Sequence, residues 1–172
     1  MGQNNHPIDI SLADIAAARV AGAAVVQHTP VIPSAYLSEL LGSRIVLKAE
    51  NLQRTGAFKI RGAMNKIAQL GETAKSGVVT GSAGNHAQGL ALAAKHFGIA
   101  CDIYVPRGAS LSKIEASKHH GATVLEGGDN VDTAIAAAKQ RAAETGMTFC
   151  HPFDDVHVVA GQGTLGLELI ED

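Results

Sequence analysis

The stretch Leu52-Gln53-Arg54-Thr55-Gly56-Ala57-Phe58-Lys59-Ile60-Arg61-Gly62 sets a single lysine beside an aromatic ring, with glycine on either side. A lysine amine attacks a carbonyl only in its neutral form. Residues 45–50, just before, read as a strand. Ile60, Ala63, Met64 and Ile67, just after, recur at helical spacing and make one apolar stripe. Lys59 therefore falls in the first turn of a helix, at the positive end of its dipole, where an ammonium is disfavoured. Shelter from water would favour the neutral amine further. Locally, a solvated surface lysine stays open as the alternative.

A second stretch, Val78-Val79-Thr80-Gly81-Ser82-Ala83-Gly84-Asn85, reads as a strand, a small-residue turn and a helix start. Such a turn points backbone N–H groups outward at a helix N-terminus and suits an anion. The alternative is an ordinary loop with Asn85 as helix cap.

Thr55-Gly56-Ala57-Phe58-Lys59-Ile60-Arg61-Gly62-Ala63 resembles the cofactor-lysine motif of the threonine dehydratases, fold-type II pyridoxal-phosphate enzymes. Ser82-Ala83-Gly84-Asn85-His86-Ala87-Gln88-Gly89 resembles the same family's asparagine loop, in the expected order. Two long motifs in order are far more specific than either alone. The similarity runs from about His28 to the end of the chain.

The resemblance implies pyridoxal phosphate as cofactor, bound to Lys59 as a Schiff base. Phe58 would lie against one cofactor face and Asn85 would donate to the 3′-oxygen. Ser82, Ala83, Gly84, Asn85 and His86 would hold the substrate carboxylate. The implied reaction converts L-threonine, and L-serine, to a 2-oxo acid and ammonia. Alternatives within the fold are a serine racemase or a β-replacement synthase. Serine racemases carry a serine where Ala83 stands, and a methyl group has no proton to exchange. Ala57 departs from the serine that family motifs often have. A non-catalytic fragment is the alternative from another class, because the family's phosphate-cradling glycine loop has no counterpart here.

Other motifs carry less. Gly161-Gln162-Gly163-Thr164-Leu165-Gly166 fits the dinucleotide pattern after a strand-like run at 156–160, but lacks the acidic residue that should follow about twenty positions on. His151, Asp154, Asp155 and His157 match no metal-ligand spacing and read as a solvated loop. Cys101 and Cys150 read as buried free thiols rather than a disulfide framework.

The elements that must position these groups follow from punctuation and period. Residues 1–10 read as a loose arm. Ser11 caps a helix over 12–21, with Asp14 in capping-box position. The prolines at 30 and 33 keep that segment extended, and a short helix from Ser34 ends at Gly42. Beyond residue 77 strands at 78–80, 100–105, 123–126 and 148–150 alternate with helices at 85–97, 111–120 and 130–144. Gly98, Gly121 and Gly146 end those helices, and Asp129 caps the third. Alternation of this kind implies a parallel sheet with right-handed crossovers.

The expected fold is α/β, with a small parallel-sheet domain inserted in a larger α/β domain, tryptophan synthase β-like and truncated. Residues 1–75 would begin the larger domain, 76–154 would form the smaller, and 155–172 would return to the larger. The chain has 172 residues and a formal charge of −2; 46% of its residues are hydrophobic but only 3% are aromatic. Ala, Val, Ile and Leu must therefore fill the core. No basic stripe with aromatics suggests nucleic acid, and no apolar run is long enough for a bilayer. The expected protein is cytoplasmic, homo-oligomeric by family resemblance, and takes a small amino-acid substrate.

Overall fold

A computed structural model describes residues 9–172. The arm expected at 1–10 lies mostly outside them. Helix α1 (Leu12–Gly22) opens the chain, with the Ser11/Asp14 capping box formed in both directions. Strands β1 (Val31–Pro33) and β2 (Val46–Lys48) pair antiparallel around α2 (Ala35–Leu41). The strand expected at 45–50 is thus shorter, because a 3-10 turn takes over at Glu50–Leu52. Helix α3 (Lys59–Leu70) follows and buries Ile60, Ala63, Met64 and Ile67, the stripe read from the sequence.

Four parallel strands come next: β3 (Val78–Gly81), β4 (Cys101–Val105), β5 (Thr123–Glu126) and β6 (Thr148–Phe149), in the order β5-β4-β3-β6. Helices α4 (Asn85–Phe97), α5 (Leu111–His119) and α6 (Val131–Thr145) alternate with them. β3 lies inside the sheet and is buried at all four positions, which explains its unbroken run of small and apolar residues. Gly98 and Gly146 are left-handed helix C-caps, as their positions predicted. Gly121 also has positive φ, one residue past the cap His120. Asn130, not Asp129, caps α6, accepting from the Thr133 amide while Thr133 Oγ1 accepts from Asn130 N.

The last helix, α7 (Val156–Glu171), replaces the strand-like reading of 156–160. Val, His and Ala there gave a short apolar run, whose period does not separate strand from buried helix. Asp155 settles it by accepting from the His157 and Val158 amides as N-cap. The pattern from Gly161 serves packing. A Cβ on Gly161 would stand 2.6 Å from the Arg61 carbonyl and from Gly62 Cα, and one on Gly62 would stand 2.7 Å from the Val158 carbonyl. Two facing glycines thus let the α3 and α7 backbones touch. A Cβ on Gly89 of α4 would meet Lys59 and Ile60 backbone at 3.1 Å, so α3 is gripped closely from that side too.

Beneath this crossing lies a buried ion network. The Arg61 side chain, 1% exposed, pairs with Glu50 and Glu168, each at 2.7 Å. Thr29 donates to Glu50 at 2.6 Å, and Lys48 joins Glu168 at 2.8 Å and Asp172 at 2.9 Å. Burial works against the Arg61 charge, yet the two carboxylates hold its pKa above the ordinary value. The network ties α3 to α7 and to the segment after β2.

Candidate active site

Lys59 is the first residue of α3, and Phe58 before it caps the helix without a side-chain hydrogen bond. The Lys59 Nζ donates to the Pro152 carbonyl at 2.9 Å and lies 5.3 Å from the Phe58 ring centroid. Burial alone lowers its pKa from the ordinary lysine value, so the neutral amine is more accessible than on a free side chain. Phe58 is 38% exposed, so it is not a core aromatic.

The turn at 82–84 leads into α4. Ser82 N donates to the Tyr104 carbonyl, and Ser82 Oγ accepts from Gly84 N at 3.3 Å. Gly84 is the N-cap and supplies no side-chain acceptor. Asn85 is therefore not the cap that the ordinary-loop reading required; it is the first helical residue, and exposed. First-turn amides of a helix have no intrahelical acceptor, so those of Asn85, His86 and Ala87 favour an anion at this end.

His86 is buried, and neither ring nitrogen has a hydrogen-bond partner. Burial first, and then the Lys59 charge, push its pKa down to about 4. At neutral pH it is an uncharged imidazole. His86 and Gly89 are three residues apart on one face of α4, and Gly89 touches the Lys59 backbone. Two residues of the second motif thus lie against Lys59: Gly89 through its backbone and His86 closely enough to feel the lysine charge. The His86 ring is sealed from solvent, with the Cys150 backbone as its polar neighbour.

Loop 150–155 closes the Lys59 side. Sequence reasoning missed the Pro152 carbonyl, which only the return of the chain after β6 brings to Lys59. It also missed Arg61 as an anchor, although Glu50 and Glu168 are buried acids that require a cation. The acidic loop is not merely solvated: Asp155 pairs with Lys66 at 2.6 Å, and this contact outweighs burial to keep its carboxyl below the ordinary range. Among the described residues no group of three or more His, Cys, Asp or Glu could hold a metal ion.

Residues 23–172 match the family described as pyridoxal-phosphate dependent enzyme. The chain belongs to that family. It is 54% identical over 164 residues to the L-threonine ammonia-lyase of Thermotoga maritima, covering 95% of this chain and 41% of that protein. Maize serine racemase superposes with a TM-score of 0.89 at 39% identity, over 94% of this chain and 49% of that one. A T.th. threonine deaminase superposes with a TM-score of 0.86 at 41% identity, over 94% of this chain and 51% of that one. The chain thus spans about half the length of these relatives. The expected α/β, fold-type II architecture holds over the described residues. The family's cofactor fits the residues present at its aldehyde end: a half-buried amine of lowered pKa, and open amides at the start of α4.

Proposed function

We propose that this chain supplies the lysine side of the active site of a pyridoxal-phosphate-dependent ammonia-lyase that acts on L-threonine, and on L-serine. The observation that carries it is a partly dry Lys59 amine on a helix start that packs against Gly89 and lies close to His86, in the first turns of α4. The 54% identity to a threonine ammonia-lyase supports the substrate.

Pyridoxal phosphate, when bound, supplies an aldehyde for amine capture and an electron sink for the substrate α-carbon. Lys59 would hold that aldehyde carbon, Phe58 one ring face and the Asn85 amide the 3′-oxygen. The turn at Ser82, Ala83 and Gly84, with the amides of Asn85 and His86, would bind the substrate carboxylate. Lys59 Nζ is the base for the α-proton, and burial brings its neutral, proton-accepting form within easier reach than on a free lysine. His86 stays uncharged, so what it would offer the carboxylate is its backbone amide and not a charge.

Ala83 favours elimination over racemisation. Inverting a carbon needs a proton donor on each face, and the Ala83 methyl offers none. The division into residues 1–75, 76–154 and 155–172 goes with this reading, as do a homo-oligomer and a cytoplasmic location. Among the described residues no helix is long and apolar enough to cross a membrane.

The test is a fusion of residues 1–172 to the part of the Thermotoga maritima relative outside the matched region. With cofactor it should convert L-threonine to a 2-oxo acid and ammonia, and Lys59→Ala should abolish this. D-serine as the main product from L-serine would contradict the reading.

A further inference from the structure

His151 belongs to neither motif, yet it shapes the loop that touches Lys59. Its Nδ1 accepts from Asp154 N at 2.8 Å and from Phe153 N at 3.3 Å. A side-chain acceptor at one position, capturing the amides two and three residues on, is the geometry by which Asn and Asp close tight turns. Pro152 sits inside that turn. It has no N–H to offer and a fixed φ, so the closure decides where its carbonyl points. That carbonyl accepts from Lys59 Nζ at 2.9 Å. The His151 ring is itself held on edge between two aromatic rings, 4.6 Å from Phe153 at 89° and 6.0 Å from Phe149 at 80°.

We propose that His151 is a positioning residue for Lys59: by gathering the Phe153 and Asp154 amides it turns the Pro152 carbonyl onto the lysine amine. The inference rests on the reading of Lys59 as the reacting amine, though the contact itself does not. It requires the tautomer with its hydrogen on Nε2, because a protonated Nδ1 cannot accept. Burial favours that neutral ring, and Lys139 on α6 acts in the same direction. Asp154 and Asp155 act against it from the loop. His86 on α4 also faces the ring, and it is uncharged above about pH 4. Below the ordinary histidine range His151 takes a proton, both amide bonds are lost and the carbonyl is freed.

The experiment follows the Lys59 ε-carbon by NMR in the ¹³C-lysine-labelled chain from pH 8 to pH 5, assigned with Lys59→Arg. In wild type the Lys59 signal should move in step with the His151 ring signals. In His151→Asn, whose side-chain oxygen accepts from the same two amides, it should stay at the wild-type pH 8 position throughout. In His151→Ala it should sit at the acid-form position at every pH, and exchange of the Phe153 and Asp154 amides should quicken about tenfold, the loss of one ordinary hydrogen bond. A Lys59 signal that ignores His151 titration in wild type overturns the proposal, whether or not His151→Ala folds. So does a signal the same in His151→Ala as in wild type, even with faster amide exchange. Borohydride trapping with pyridoxal phosphate decides the other reading separately: a coupled but unlabelled Lys59 would sink the proposed function and leave the positioning contact standing.

Discussion

A lysine at the first position of a helix is a common thing; what sets Lys59 apart is the cost of its charge. Burial lowers its pKa, and the N-terminus of α3 adds positive potential. The Pro152 carbonyl that accepts from it carries no full charge, unlike the carboxylates beside Lys48 and Lys66. Reductive methylation followed across pH should therefore show Lys59 reacting at lower pH than Lys48, whose pKa its carboxylate partners raise. A Lys59 that needs pH above the ordinary lysine value of 10.5 would contradict the assignment of its environment. Lys59 and its helix were legible from sequence because both signals are local: an apolar stripe of period near 3.6 and a glycine turn before it. Pro152 and His151 were not, because they lie some ninety residues away and no local pattern says where a loop returns.

At the scale of elements, the site depends on how closely α3 is held by its two neighbours. Gly62 and Gly161 remove the side chains that would keep α3 and α7 apart, and Gly89 does the same for α4. Gly161→Ala places a methyl group 2.6 Å from backbone atoms that cannot rotate away. Thermal or urea unfolding should find it destabilised by about 1–3 kcal/mol. Gly166→Ala, on the same helix with open space around its Cβ, should be neutral or slightly stabilising. Equal effects at the two sites would refute the close-approach argument. The glycine pattern shows how sequence reading misfires. Its spacing suggests a phosphate turn, but a dinucleotide loop precedes its helix, whereas these glycines lie inside α7. Most other boundaries were readable to within a residue or two, since caps and terminal glycines are written locally. The strand-like reading of 156–160 failed because a five-residue run, apolar except at His157, contains no decisive period.

Across the whole molecule, the Arg61 network joins segments from Thr29 to Asp172 under the helix that presents Lys59. Glu50 and Glu168 are held below their ordinary pKa of 4.5; burial opposes this, but the Arg61 hydrogen bonds prevail. Their contribution to stability is complete above about pH 4.5 and is lost as pH falls through the lowered folded-state values. Wild-type stability should change little through these two groups between pH 7 and 5, then fall as pH drops further. Arg61→Leu leaves Glu50 buried without its cation, and should cost about 3–5 kcal/mol at pH 7. Its deficit should shrink on acidification, as the stranded carboxyl takes a proton; a deficit that widens instead would contradict the pairing. The central claim, that one lysine of this chain is the reacting amine, is tested most directly by adding pyridoxal phosphate, reducing with borohydride and mapping the label over every lysine. Lys75, with a side chain 76% exposed, and Lys118, 50% exposed, offer far easier access than Lys59. The account predicts that at stoichiometric cofactor the label falls on Lys59 all the same. Label distributed by exposure, with Lys59 unmarked, would contradict it.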